Sequence, residues 1–340
     1  MNTTRSSQAY LTAHILALRP RQWTKNLIIF AAPLFAFHIS AQSLFSSLLA
    51  FALFCITSSS FYLINDVMDV EADRQHPVKC NRPIAAGLVT VPIAVAAALG
   101  FLTTTLIISW NQSPGLGTAI TGYAALQIAY NLKLKHTVLL DVIAIACGFV
   151  LRAYAGATAN GITLSPWFLM CTALLALFLG IEKRKAELRI LAIKGGKTRN
   201  VLQHYSLPLL ARMEGNVTTG ALITYALWSF GPQVQGASTS WMCLTIPFVM
   251  YGIFRYQLLS DPRDPLPSQN FSTTIDTHLL QTRDNAATQI TMEPPTRVET
   301  YRTERPEEVL LSDLPLLANV LLWICTVFII LALKHQGIIQ

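Results

Sequence analysis

The sequence predicts an all-α, polytopic membrane protein: about nine transmembrane helices in a bundle, with an active-site cavity that faces the cytoplasm. Of its 340 residues, 52% are hydrophobic and 13% are charged, whereas about 25% are charged in a typical soluble domain. A transmembrane helix needs about 20 apolar residues. We expect residues 1–340 to form a single integral membrane domain. Five long runs contain no charged residue: 26–65, 83–132, 153–181, 215–254 and 314–333.

The three longest runs can each hold two helices, and the interval 137–157, which contains Arg152, adds one more. A charged side chain at a helix centre costs roughly 2.5–3.5 kcal/mol. Arg152 therefore either faces the bundle interior with a partner or extends its side chain to the interface. Residues 1–18 are expected to be amphipathic or flexible, with a short surface helix over 6–18. The expected spans are 21–39, 43–65, 90–110, 116–132, 137–157, 165–183, 217–232, 240–259 and 314–333.

The distribution of Lys and Arg predicts the orientation in the membrane. The loops that connect the spans form two alternating sets. One set holds most of the Lys and Arg residues, and the other set holds none. By the positive-inside rule the cation-rich connections are cytoplasmic. We therefore expect a multi-pass protein of the cell (inner or plasma) membrane, with its N-terminus and its active site on the cytoplasmic side. The net charge of +7 has the same origin and is no evidence for a nucleic-acid partner.

An acidic stretch at the end of the second predicted span is the candidate catalytic site. Asp66, Asp69 and Asp73 are spaced i, i+3, i+7, so on a helix they share one face and repel one another. They need a counter-charge. Oxygen ligands at a membrane edge suit Mg²⁺, which usually shares its carboxylates with substrate phosphates. We expect these three acids to bind Mg²⁺ with Asn65 beside them; a solvated acidic helix end is the alternative.

Basic and polar residues near the cytoplasmic span ends are candidates for substrate binding, because cations neutralise phosphate oxygens. Trp and Lys/Arg at 19–26 are equally typical of interfacial anchors. The charges at 182–189 are by themselves typical of a cluster that follows the positive-inside rule, so both interpretations stay open. The candidates are Lys25, Arg74, Lys79, Arg82, Tyr130, Lys135, Lys183, Arg184 and Glu187.

Residues 261–303 differ in composition from the rest of the chain. They are rich in Pro, Thr, Gln and Asp and cannot bury enough apolar surface to offset the entropy of ordering. We expect a disordered cytoplasmic loop. The six cysteines include no CxxC pair and are expected to be free thiols.

The acidic stretch resembles a known motif. Asn65-Asp66-x2-Asp69-x3-Asp73 is similar to the NDxxDxxxD motif of the UbiA-type prenyltransferases, which are nine-helix membrane enzymes. Aromatic prenyltransferases of this type carry a second Asp-rich motif on the sixth span, where this chain has Lys183-Arg184-x2-Glu187. Cations in that place fit a second substrate that brings its own phosphate. More narrowly, four runs resemble the phosphoribosyltransferase branch of the superfamily, which acts on decaprenyl phosphate: 18–26, 62–87, 134–136 and 182–188.

The resemblance implies a reaction, namely Mg²⁺-dependent transfer of 5-phosphoribose from phosphoribosyl pyrophosphate to a polyprenyl phosphate. It implies that Asp66, Asp69 and Asp73 bind the metal, that Asn65 orients them, and that basic residues hold the lipid phosphate. The product is expected to be a lipid-linked pentose precursor for cell-envelope polysaccharide. The partners are then both substrates and the lipid bilayer, with a homo-oligomer left open.

Two alternatives stay open. The nearer one is an aromatic prenyltransferase of the same fold, which transfers a polyprenyl chain to 4-hydroxybenzoate or a similar ring. The distant one is a membrane transporter, because charged residues within a membrane also mark ion pathways. The acids lie at the membrane edge, not at its middle, which favours an enzyme.

Overall fold

The structure is a computed structural model that describes residues 12–38, 40–76, 78–194, 200–232, 235–261, 309 and 312–339. Within these residues every regular element is a helix, as the composition predicts. The predicted loop 261–303 lies outside the described residues except for Asp261, and so do residues 1–11.

The chain begins with a short helix, α1, over residues 12–17, and a 3-10 helix follows at Pro20–Phe30. Further 3-10 helices lie at Lys79–Asn81, Leu134–His136, Asn200–His204 and Ser240–Thr245. The remaining α-helices are α2 (Ala31–Phe35), α3 (Ala41–Met68), α4 (Val70–Arg74), α5 (Val91–Gln112), α6 (Pro114–Leu132), α7 (Leu140–Ala159), α8 (Pro166–Lys194), α9 (Leu207–Ser229), α10 (Ile246–Ser260) and α11 (Leu314–His335).

Capping residues in the sequence determine where several helices begin. Ser40, Ser113 and Ser206 each accept a hydrogen bond from the backbone N–H three residues later, at 3.0, 3.1 and 3.3 Å. Asp313 does the same at 2.9 Å. Such caps satisfy N–H groups that the first turn of a helix leaves unpaired. They define the starts of α3, α6, α9 and α11.

The helices agree with the prediction of a multi-pass membrane protein. Among the described residues, six segments are long and apolar enough to cross a bilayer: α3, α5, α7, α8 as far as Leu191, Ser240–Ser260 and α11. Helices α6 and α9 lie at the positions predicted for the fourth and seventh spans. The total of nine spans stays a prediction.

The first predicted span, 21–39, is not a regular α-helix. It consists of the 3-10 helix Pro20–Phe30 followed by the short α2. A 3-10 helix rises about 2.0 Å per residue, against 1.5 Å for an α-helix. The segment packs closely on α7, where a Cβ at Gly156 would lie 1.9 Å from the carbonyl oxygen of Ile29. The prediction of one continuous α-helix is wrong here, because the segment is shaped by contact with a glycine of a distant helix.

Helix α7 is at the centre of the bundle and α5 is at its edge. α7 contacts α3, α6, α8 and the 3-10 helix Pro20–Phe30. Half of the most apolar 18-residue stretch of α7 is buried inside the protein, whereas only 17% of the corresponding stretch of α5 is buried. The outer face of α5 is therefore left to the lipid.

Arg152 faces the interior of the bundle, which confirms the first of its two predicted environments. It is only 6% exposed. Its Nε donates to Asn26 Oδ1 at 2.6 Å, and its Nη2 donates to the Tyr123 hydroxyl at 2.9 Å. Its Nη1 donates to the Gly148 carbonyl oxygen at 2.8 Å. These partners are neutral, so hydrogen bonds instead of an ion pair join α6, α7 and the 3-10 helix at this point.

Candidate active site

Two carboxylates and two guanidinium groups meet at the end of α3. Arg19 Nη2 donates to Asp66 Oδ1 at 2.5 Å, and Arg82 Nη1 donates to the same oxygen at 3.0 Å. The same Arg82 nitrogen donates to Asp73 Oδ2 at 2.6 Å. The two carboxylates are buried, while each arginine side chain is 29% exposed. We refer to these four side chains as the carboxylate–arginine cluster.

The three acids of the motif do not occupy equivalent positions. Asp69 interrupts the helix between α3 and α4, with φ −95° and ψ 7°. Its side chain is exposed, whereas those of Asp66 and Asp73 are buried. Asn65 is half-buried, and its backbone carbonyl accepts from the Asp69 N–H at 2.9 Å. The expectation that all three acids share one face of one helix is therefore wrong, because the helix breaks between them.

The protein itself supplies the counter-charge for Asp66 and Asp73. In the sequence Arg19 is 47 positions from Asp66 and Arg82 is 16 positions from it. Only folding brings these cations to the acids. The counter-charge that the sequence analysis requires for Asp66 and Asp73 thus comes, in this structure, from two arginines.

The carboxylates of the motif fit Mg²⁺ as part of its ligand set. They do not supply all of its ligands. Among the described residues, no three His, Cys, Asp or Glu side chains form a group that can hold a metal. Mg²⁺ usually keeps several waters and is bound through one or two carboxylates plus substrate phosphates. Asp66 and Asp73, which already share one cation, and the exposed Asp69 are oxygen donors of this kind.

Of the three candidate cations in α4 and the loop after it, one contacts the acids. Arg82 joins the cluster. Arg74 is exposed, donates to Glu71 Oε1 at 2.7 Å and lies outside the cluster. Lys79 is also exposed. Contact of these two side chains with a substrate stays a prediction.

Three further candidates are half-buried near other helix ends. Lys25 Nζ donates to Gln22 Oε1 at 2.6 Å in the 3-10 helix Pro20–Phe30. Tyr130 lies in the last turn of α6, and Lys135 lies in the 3-10 helix that follows. Their roles in substrate binding stay predictions.

Arg184, a candidate for substrate binding, is paired with carboxylates of the protein. It is 3% exposed; its Nε donates to Asp141 Oδ2 at 2.8 Å and its Nη1 donates to Glu187. The Tyr205 hydroxyl donates to the other oxygen of Asp141 at 2.9 Å. Burial raises the pKa of Tyr205 to about 12. Arg184 and Glu187 therefore belong to a buried ion-pair group that joins α7 to α8, whereas Lys183 is half-buried beside it.

A second buried ion-pair group joins α8, α9 and α10. Lys185 Nζ donates to Glu182 Oε1 at 2.8 Å and to Glu214. Gln257 Nε2 donates to Glu214 Oε1 at 2.7 Å. The i, i+3 spacing of Glu182 and Lys185 is a signal for the first contact, but no local pattern indicates the other two. Much of the charge run at 182–189 thus joins helices and does not simply follow the positive-inside rule.

Arg19 is the functional candidate that the sequence did not distinguish from its neighbours. It follows α1 with a positive φ of 53°, which turns the chain into the 3-10 helix. Its guanidinium carbon lies 5.0 Å from the ring centre of Tyr62, one turn before Asp66 on α3. The position is one of several cations at 19–26, and only the fold selects it.

Comparison with known proteins shows the family. The model of the UbiA prenyltransferase family matches residues 27–275. A decaprenyl-phosphate phosphoribosyltransferase from Mycolicibacterium smegmatis is 39% identical over 255 residues, which cover 71% of this chain and 80% of that protein. A protein of the same name from Corynebacterium glutamicum is 37% identical over 260 residues, which cover 74% and 77%.

A solved structure supports the fold. It is a UbiA homologue from Archaeoglobus fulgidus bound to GPP and Mg²⁺, and it is 19% identical in sequence. The alignment has a TM-score of 0.60 and covers 94% of this chain and 99% of that chain. With the family match and the curated relatives, the assignment is plain: this chain belongs to the UbiA prenyltransferase family.

Proposed function

We propose that the protein transfers 5-phosphoribose from phosphoribosyl pyrophosphate to a polyprenyl phosphate of the decaprenyl type and releases pyrophosphate. The observation that carries the proposal is the 39% identity over 255 residues to a protein named decaprenyl-phosphate phosphoribosyltransferase. The buried acids and arginines at the end of α3 support it, because they combine oxygen donors with donors to phosphate.

Asp66, Asp69 and Asp73 are the residues that would hold Mg²⁺. A bound Mg²⁺ supplies Lewis-acid neutralisation of the pyrophosphate charge. Asn65, half-buried next to Asp66, orients this acidic segment. Arg82 is the counter-ion of Asp66 and Asp73 and has donors left for phosphate oxygens, because a guanidinium carries five N–H groups.

In the reaction the bond between ribose C1 and the pyrophosphate oxygen breaks, and a bond from the acceptor's phosphate oxygen to C1 forms. Negative charge builds on the leaving pyrophosphate. Arg19 and Arg82, each 29% exposed, stabilise that charge from fixed positions, which lowers the barrier because the donors need little reorganisation. Arg74 and Lys79 neutralise the outer phosphate oxygens.

The acceptor's phosphate is already anionic, so its attack on C1 requires no strong general base. Positioning of the two substrates therefore carries much of the rate acceleration. Lys183, in the second half of α8, is the first candidate to hold the lipid phosphate, with Lys25, Tyr130 and Lys135 as further contacts. Arg184 and Glu187 act indirectly, since their charges are used within the protein.

The proposed setting is the cytoplasmic side of the cell membrane, where Mg²⁺ and phosphorylated sugars are found. The positive-inside distribution of Lys and Arg supports this orientation. The product, a polyprenyl-phosphoryl 5-phosphoribose, would serve as a lipid-linked pentose precursor for cell-envelope polysaccharide.

The test is transfer of radiolabel from ribose-labelled phosphoribosyl pyrophosphate to decaprenyl phosphate by the purified protein. We expect labelled lipid with Mg²⁺, none with EDTA, and none with an Asp66→Asn variant of equal purity. A parallel assay offers labelled polyprenyl diphosphate and 4-hydroxybenzoate. Transfer of the labelled prenyl group to the aromatic ring, without labelling of decaprenyl phosphate in the first assay, would replace the proposal with an aromatic prenyltransferase.

A further inference from the structure

Arg19 has a backbone conformation that its residue type disfavours. Its φ is 53° and its ψ is 59°, which is the left-handed region. Residues other than glycine adopt this region uncommonly, because their Cβ comes too close to a carbonyl oxygen. The turn leads from α1 into the 3-10 helix Pro20–Phe30, and the guanidinium group of Arg19 lies at Asp66. Contacts from elsewhere in the fold must therefore stabilise the turn.

The hydroxyl group of Ser59 makes two of these contacts. Ser59 Oγ donates to the carbonyl oxygen of Leu18 at 2.8 Å and accepts from Trp23 Nε1 at 3.1 Å. The Leu18 carbonyl belongs to the planar peptide group that joins Leu18 to Arg19. A bond to this carbonyl fixes the peptide plane about the N–Cα bond of Arg19, which is the rotation that φ measures. Ser59 is only 1% exposed, and it holds the chain both before and after Arg19.

One face of α3 contacts successive parts of Arg19. Ser59, Tyr62 and Asp66 are spaced i, i+3, i+7 and share this face. Ser59 holds the backbone at Leu18. The ring centre of Tyr62 lies 5.0 Å from the guanidinium carbon, and Asp66 Oδ1 accepts from Nη2 at 2.5 Å. A single continuous helix, Ala41–Met68, therefore sets the position of both the backbone and the charged end of this side chain.

The two serines next to Ser59 form the hydrogen bonds that are usual for a serine inside a helix. Ser58 Oγ donates to the Cys55 carbonyl oxygen at 3.0 Å, and Ser60 Oγ donates to the Ile56 carbonyl oxygen at 2.9 Å. Such bonds to the preceding turn satisfy a hydroxyl within its own helix. All three serines are buried, yet Ser59 donates to a segment outside α3. Burial by itself therefore does not explain the contact of Ser59.

We propose that Ser59 is a positioning residue for phosphoribosyl transfer, which acts by holding Arg19 at the leaving pyrophosphate; the assignment rests on the proposed function. Arg19 stabilises the charge that builds on pyrophosphate as its bond to ribose C1 breaks. Such stabilisation is effective when the donors are fixed before the reaction. Loss of the Ser59 hydroxyl should therefore slow the transfer step and leave binding of the lipid acceptor unchanged.

The test compares Ser59→Ala with Ser60→Ala, which removes a buried hydroxyl that is bonded within α3. A misplacement of about 1 Å can cost about a hundredfold in rate. Because Tyr62 and Asp66 still hold the guanidinium, we expect Ser59→Ala to lower kcat by about tenfold. The KM for polyprenyl phosphate should stay unchanged, and Ser60→Ala should have wild-type kinetics. Equal kcat values for the two variants would overturn the proposal.

An Arg19→Gly background shows whether Ser59 acts through Arg19. Glycine adopts a positive φ readily, and this variant has no guanidinium group to position. Ser59→Ala should therefore cause no further loss of kcat in this background, whereas the effects of independent sites on the rate multiply. A further loss of about tenfold would show that Ser59 acts by another route, and the proposal would be wrong.

A failure of the proposed function is distinguishable from a failure of this assignment, because the same variants are compared by Tm. Ser59→Ala should lower the Tm less in the Arg19→Gly background than in the wild type, since glycine needs no contact to hold its turn. Ser60→Ala should lower it equally in both. If the wild type transfers no phosphoribose and this difference is found, the proposed function falls and the hold of Ser59 on Arg19 stands. Equal Tm losses for Ser59→Ala in the two backgrounds would overturn the assignment.

Discussion

Asp66 and Asp73 accept hydrogen bonds from one nitrogen of Arg82, at 3.0 and 2.6 Å. A single guanidinium therefore bridges the two buried carboxylates of the motif. A divalent cation bound by these carboxylates would share their negative charge with Arg82 and Arg19. The metal and the protein's own ion pairs thus both contribute to the charge balance of Asp66 and Asp73.

The first prediction separates the buried and the exposed acids. Asp66→Asn and Asp69→Asn should each lower kcat/KM by about a hundredfold or more, because each removes a carboxylate that would hold the Mg²⁺ whose charge neutralises the leaving group. Only Asp66→Asn should also destabilise the protein, by about 1–2 kcal/mol, since its partners Arg19 and Arg82 lose a charged acceptor. Activity assays and thermal unfolding in detergent check both. Near-normal activity of either variant would remove that residue from the site.

The second prediction concerns Arg82 without metal. Arg82→Gln leaves Asp66 and Asp73 without their shared counter-ion, so its Tm in EDTA should fall below that of the wild type. Mg²⁺ should restore much of the loss, because a ligand that binds the folded state stabilises it.

The control for Arg82 is Arg74→Gln. It breaks only the exposed pair with Glu71, and such a pair contributes about 0–1 kcal/mol. Its Tm should not depend on Mg²⁺ more than that of the wild type. An equal Mg²⁺ response of both variants would show that Arg82 and the metal do not share the carboxylates.

The third prediction distinguishes two adjacent cations. Lys183→Ala should raise the KM for polyprenyl phosphate about tenfold, the equivalent of one charged hydrogen bond, and leave the Tm unchanged. Arg184→Ala should lower stability by about 3–5 kcal/mol, because it leaves Asp141 buried and unpaired with its guanidinium. Separate KM values for the two substrates test the kinetic effect, and unfolding curves test the effect on stability. Unchanged kinetics for Lys183→Ala would show that this residue does not bind the substrate and only follows the positive-inside rule.

The fourth prediction is a pH dependence that involves Tyr205. Burial raises the pKa of its hydroxyl from 10.0 to about 12, so the folded state keeps a proton that the unfolded state loses. The stabilising contribution is present below pH 10 and is lost as the pH rises to about 12. The difference in stability between wild type and Tyr205→Phe should therefore shrink over this range. A difference that is constant with pH would contradict the assignment.

The fifth prediction concerns the polar insert. Deletion of residues 263–302 should leave activity and Tm nearly unchanged, because loop-closure entropy changes by only about 0.6 kcal/mol per doubling of length. Asp261 is kept, since Arg189 donates to it at 2.7 Å. A replacement of the same 40 residues by a Gly/Ser linker is the control. Loss of activity in both variants would show that the insert contributes to the site.

The sequence by itself determined the class of protein and the region of the site. Hydrophobic runs are local properties of the chain, and the cost of placing a charge in lipid excludes most charges from them. The predicted spans therefore coincide with α-helices except at 21–39 and at the start of 240–259, where the chain forms 3-10 helices. The acidic stretch 65–73 stood out for the same reason, as a dense group of charges at the end of an apolar run.

Only the tertiary structure decided which charges meet. Arg19 reaches Asp66 over 47 positions, Arg184 reaches Asp141 over 43, and Arg152 reaches Asn26 over 126. Each contact depends on which helix faces which, and that is set by close packing between distant segments. A buried cation can bind a ligand only if no carboxylate of the protein already pairs with it. Neither the residue type nor the spacing along the chain shows whether such a carboxylate is near.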